Sequence, residues 1–121
     1  MYRVIVSVLT FAFLASTAVA EDVFILEKSR PVTIVLADSP AAAEQTAAKE
    51  LDTYLSKMTG VPCVILPEAK AAGCAIDVGP TALAKHAGID CRELDKEEWV
   101  LRSTDGNLIV AGGRPRGTLY G

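Results

Sequence analysis

Between Pro40 and Gly60 the apolar residues Ala47, Ala48, Leu51, Tyr54, Leu55 and Met58 recur at three- and four-residue steps, while Glu44, Gln45, Lys49, Asp52, Ser56 and Lys57 fall largely on the other side. That spacing predicts one amphipathic helix whose apolar stripe must be buried against another layer. Its ends are also written in the sequence. Ser39 is placed to accept a backbone N–H as N-cap, with Pro40 at the first helical position, where its missing donor costs nothing. Gly60 stops the helix by tolerating a left-handed cap, and Pro62 cannot continue it.

The layer that buries this stripe comes from short runs rich in Val, Ile and other strand-forming residues. Val23-Phe24-Ile25-Leu26 and Val32-Thr33-Ile34-Val35-Leu36 are separated by a polar segment ending in Pro31, which is compatible with a hairpin. Cys63-Val64-Ile65-Leu66 lies between two prolines and reads as a buried strand; Cys74-Ala75-Ile76-Asp77-Val78 ends at Gly79-Pro80. Thr81 to Ala87 forms one or two helical turns stopped by Gly88. Glu98–Ser103 and Asn107–Ala111 flank Thr104-Asp105-Gly106, and Asp-Gly is a favoured hairpin turn because both central positions need positive φ. After Gly112-Gly113-Arg114-Pro115-Arg116-Gly117, Thr118 to Gly121 reads as the first turn of a last helix, truncated at its start. The expected order β-β-α-β-β-α-β-β-α is an α+β sandwich: one mixed sheet with helices packed on it.

Residues 1–20 are different in kind. Fifteen of them are hydrophobic, and Arg3, the apolar stretch Val4 to Ala15 and the small residues of Ala18-Val19-Ala20 have the layout of a secretory signal peptide cleaved after Ala20. The alternative, an uncleaved anchor, meets the objection that the apolar stretch falls short of the ~20 residues a spanning helix needs. Export leads to the periplasm or the medium. The expected mature domain, residues 21–121, carries 11 basic against 15 acidic side chains, a formal charge of −4, with no basic stripe. Nucleic acid and anionic membrane surfaces are therefore poor partners, since both are bound by clustered Lys and Arg.

No set of residues stands out as catalytic. Cys63, Cys74 and Cys91 have no C-x-x-C spacing and only His86 to join them, which argues against zinc; no other metal set or cofactor motif is present. A Cys63–Cys74 disulfide is geometrically open if their strands are neighbours, with free buried thiols as the alternative. His86, near the end of a short helix, complements the helix dipole and has no partner identifiable by spacing. Glu93, Asp95, Glu97 and Glu98 resemble a paired-carboxylate set only superficially and read as a solvated edge. Gly112 to Gly117 lies where a phosphate loop would lie but matches no phosphate-loop pattern, and Pro115 removes a donor. Arg114 and Arg116 are the remaining candidates for substrate or anion contact, against covering an interface, and Trp99 reads as core rather than a sugar platform.

Four stretches together resemble a known family. A-A-K-E-L-D-T-Y-L-S-K-M-T-G ending at Gly60, I-D-V-G-P-T-A-L-A at Ile76–Ala84, E-E-W-V-L-R at Glu97–Arg102 and N-L-I-V-A-G-G-R-P-R-G-T-L-Y-G at Asn107–Gly121 are similar to the N-terminal domain of alpha-glucuronidases. The same domain type, known as beta-N-acetylhexosaminidase domain 2-like, precedes the barrel of bacterial beta-N-acetylhexosaminidases and of related secreted proteins with a DUF4838-type region. The resemblance implies an α/β sandwich that packs on a following (β/α)8 barrel, with the catalytic carboxylates in that barrel, so no catalytic residue carries over. The expectation is a non-catalytic accessory domain of an exported glycoside hydrolase acting on polysaccharide. The alternative is a free-standing exported module that binds carbohydrate or protein, and a third reading is a small enzyme using His86 or the acidic cluster.

Overall fold

The computed structural model describes residues 24–121 apart from residue 72. The expected signal peptide, its cleavage point after Ala20, and Val23 lie outside the described residues.

Five strands form one mixed sheet. They are β1 (Thr33–Leu36), β2 (Val64–Pro67), β3 (Ile76–Val78), β4 (Trp99–Thr104) and β5 (Asn107–Gly112), in the spatial order β2-β1-β3-β5-β4. The first four in that order run parallel, and β4 closes the sheet antiparallel to β5. The helices are α1 (Ala42–Thr59), α2 (Ala82–His86) and α3 (Gly117–Tyr120), with a 3-10 turn at Glu68–Lys70 after β2. This is the α+β arrangement expected.

Strand alternation divides the core. Ile34, Ile76 and Val110 with Val78 point to one face, where the α1 stripe of Ala47, Ala48 and Leu55 covers them. Ile109 and Ala111 point to the other and are covered by Ala84 of α2 and by Ile89 and Cys91 beyond it. Each large aliphatic side chain buried this way contributes about 1.5–3 kcal/mol. The parallel register sets Val35, Asp77 and Ile109 side by side on the α2 face, so one carboxylate stands among apolar neighbours.

Four expectations are corrected. Phe24 to Leu26 is not a strand: β1 has β2 on one side and β3 on the other, which leaves no edge for a hairpin partner, and Phe24 instead packs on the α1 core. The α1 N-cap is Ala41 rather than Ser39, because Glu44 Oε2 accepts the Ala41 N–H at 2.7 Å and supplies the cap from inside the helix. The Cys63–Leu66 run is an exposed edge rather than a buried strand, with Val64 and Ile65 both partly in solvent. Trp99 is 47% exposed rather than core, because the four-residue α3 and Gly121 after it cover β4 only in part.

Other local signals act as expected. Gly60 ends α1 in the left-handed conformation, its N–H donating to Ser56 O at 2.9 Å. Thr81 caps α2 by accepting from Ala84 N–H. Asp105 (φ 48°) and Gly106 (φ 78°) both take the positive φ the β4–β5 turn requires. Asp52 accepts from Ser56 Oγ and from Cys63 N–H, tying α1 to the entry of β2; these bonds, the Ser56 one first, hold its carboxyl below the usual range.

Candidate functional site

In sheets of this kind ligands bind outside the carboxyl ends of the parallel strands, where the chain reverses its direction of travel across the sheet. Here that crevice lies between β1 and β3. It is filled from within by Glu44, which is 1% exposed. Arg114 Nε donates to Glu44 Oε1 at 3.1 Å, and Arg114 Nη2 donates to Glu44 Oε2 and to Ser39 O, each at 3.4 Å. Gly79 lies against this pair; a Cβ there would come within 2.9 Å of the Glu44 carboxyl carbon. A buried carboxylate without its cation would be strongly unfavourable, so the guanidinium is committed to structure.

The glycine-rich stretch before α3 is likewise built for contact with its own chain. Gly113 N–H donates to Glu98 O at 2.9 Å, Gly117 N–H to Gly113 O at 2.7 Å, and Gly112 N–H to Thr118 Oγ1 at 3.0 Å. Cβ atoms on Gly112, Gly113 or Gly117 would collide with the backbone of Gly117–Thr118, Asp95 and Glu98 respectively. The glycines therefore serve close backbone approach. The three amide donors are turned inward and do not form a phosphate cradle.

Beside the ion pair lies an open cleft of about 480 Å³, in which Lys85, Arg92 and Arg114 surround Ile89, Cys91 and Leu94. Two of the three cations are already paired. Arg92 donates to Asp90 through its backbone N–H and Nε at 3.0 Å and through Nη2 at 2.9 Å, and the Arg92 side chain holds the Asp90 carboxyl down to about 2. Burial first, and Glu44 second, push the Cys91 thiol up, which keeps it protonated and unreactive. The cleft thus has charge and an apolar floor but no activated nucleophile.

The description Glycosyl hydrolase family 67 N-terminus fits residues 14–121. The chain belongs to that family. No curated protein matches it significantly.

In this family 67 N-terminal domain the residues singled out in the sequence do not converge. Arg116 pairs only with Glu97, at 3.6 Å, and both are well exposed. Glu93, Asp95, Glu97 and Glu98 are all exposed; Glu98 Oε2 accepts the Asp95 N–H, a local turn contact rather than a catalytic pair. His86 is exposed at the end of α2 with no carboxylate paired to it among the described residues. The condition for a Cys63–Cys74 disulfide fails, since β1 stands between β2 and β3, and all three cysteines are free thiols. Among the described residues no group of three or more His, Cys, Asp or Glu is placed to hold a metal.

Sequence reasoning missed two carboxylates. Glu44 looked like one polar residue of a helix face, although a Glu at the third position after an uncapped helix start is a capping signal. Asp77 is 5% exposed, and burial first, the nearby Glu68 charge second, push its carboxyl up to about 6. A lone acid inside the apolar run Cys74–Val78 was the available signal.

Proposed function

We propose that this chain is the non-catalytic N-terminal accessory domain of an exported glycoside hydrolase of the alpha-glucuronidase type, packing against a catalytic barrel. The family match over residues 14–121 carries the reading. The surface beside α3 supports it. Trp99 and Leu101 on β4, Leu119 and Tyr120 on α3 and Tyr54 on α1 are each at least a third exposed. Between α1 and α3, Tyr54, Leu119 and Tyr120 line an open groove of about 440 Å³. Exposed apolar surface of that kind suits burial against another domain.

The test is reconstitution. A family 67 barrel made without its own N-terminal domain is mixed with this chain, and release of uronic acid from a glucuronate-bearing oligosaccharide is followed. The expected result is stabilisation of the barrel by the chain, with no turnover by the chain alone. Turnover by the chain alone would overturn the non-catalytic role. A monomer that ignores the barrel and is retained on a polysaccharide would favour a free-standing binding module. Export is tested separately by N-terminal sequencing of secreted product, which should begin at Glu21.

A further inference from the structure

Asp77 and Glu68 line one cavity of about 240 Å³ on the α2 face of the sheet, between the 3-10 turn after β2 and the start of α2. Asp77 is directed there by strand alternation, since its neighbours Ile76 and Val78 point to the α1 core. Its carboxylate takes no hydrogen bond or ion pair from the described residues, yet the residue is 5% exposed and lines the cavity. Glu68 lines the same cavity, and its Oε2 accepts the Ala82 N–H at 2.7 Å. No lysine, arginine or histidine lines the space. Lys85 and His86 line an adjoining pocket with Glu68 but not this cavity, so inside it the Asp77 carboxylate meets Glu68 without a counter-charge, which is unfavourable unless something positive joins them.

The remaining polar walls are neutral oxygens. Asn107 Oδ1 accepts from Ala75 N–H at 2.8 Å, and Thr81 Oγ1 accepts from Ala84 N–H at 3.2 Å, so each keeps a second lone pair. Carboxylate, amide and hydroxyl oxygens without sulfur or imidazole are the donor set of a hard cation. Calcium accepts six to eight such oxygens in irregular geometry, whereas magnesium demands a near-ideal octahedron. We propose that this cavity binds one calcium-class cation through the carboxylates of Asp77 and Glu68, with Asn107, Thr81 and water completing the shell. Binding would clamp the turn after β2 to β3 and to the start of α2.

The experiment uses the full chain, stripped with chelator and titrated with calcium chloride at pH 7.5 by calorimetry and thermal melting. The expected result is one saturable site and a melting temperature higher by about 4 °C or more when calcium exceeds its Kd about a hundredfold. Asp77→Asn and Glu68→Gln should each weaken binding at least about tenfold, the loss of one charged ligand. Glu93→Gln, remote from the cavity, should bind as the parent does. Circular dichroism of each variant identifies any that fails to fold, and Glu68→Gln alone then decides. The proposal is overturned if the parent chain shows neither heat nor thermal shift with calcium, or if folded Asp77→Asn and Glu68→Gln bind as tightly as the parent. An equal response to magnesium at the same concentration would overturn the calcium assignment.

Discussion

Glu44 and Arg114 show how much one residue's meaning depends on its partner. Arg114 was a candidate for contacting an anion, and the anion it contacts is an internal carboxylate, seventy positions earlier in the chain. Removing it leaves Glu44 buried and unpaired, so Arg114→Ala should cost about 1–3 kcal/mol in a urea titration, a figure reduced from the full buried-pair value because the guanidinium is half exposed. Arg116→Ala breaks only a solvated pair and should stay within about 0.5 kcal/mol. Asp77 gives the pH dependence. Its folded-state pKa, about 6, lies above its ordinary value of 3.8, so the folded chain holds a proton that the unfolded chain has released between those values. In metal-free buffer stability should therefore fall as pH rises from about 4 to about 6, by at most about 3 kcal/mol. Melting curves of Asp77→Asn should lack that fall.

At the scale of elements, short-range chemistry was legible and pairing was not. Helix α1 was readable because apolar residues recur over about three turns and Gly60 closes it, although of the expected buried stripe Tyr54 and Met58 are 61% and 63% exposed and Ala47, Ala48 and Leu55 form the buried part; the β4–β5 hairpin was readable because Asp105-Gly106 meets a requirement local to the turn. The Val23–Leu26 run misled because strand propensity states that a segment suits a sheet, not that an edge is available for it; β2 and β3 had already taken both edges of β1. The same limit hid the exposure of β2 and Trp99, since an apolar run at a sheet's margin has the composition of one at its centre. The stretch from Gly112 to Gly117 is the element most sensitive to a single methyl group. Gly113→Ala drives a Cβ into the Asp95 carbonyl and should cost about 3 kcal/mol or more by denaturant titration, or prevent folding. Leu55→Ala, on the buried face of α1, should cost about 2–4 kcal/mol in the same measurement.

For the molecule as a whole the distribution of apolar surface matters most. Trp99 and Leu101 face the same side of the sheet as the α1 core, yet the short α3 covers β4 only in part and leaves both about half exposed. Replacing both by Ser should lower the chain's stability by only about 1–2 kcal/mol, because half of each side chain is already in water. On the reading that this surface meets a barrel, the same change should abolish the reconstitution described above. Sequence alone determined the amphipathic helix, the tight hairpin, the net negative charge and the family, because each depends on residue types at short spacing. Only the tertiary structure decided that the Arg114 charge is spent on Glu44, that Cys63 and Cys74 are kept apart by β1, and that Asp77 and Glu68 share a cavity. Those outcomes depend on which strands become neighbours, and strand order is settled by burying both faces of the sheet at once, a global condition that no local window of sequence contains.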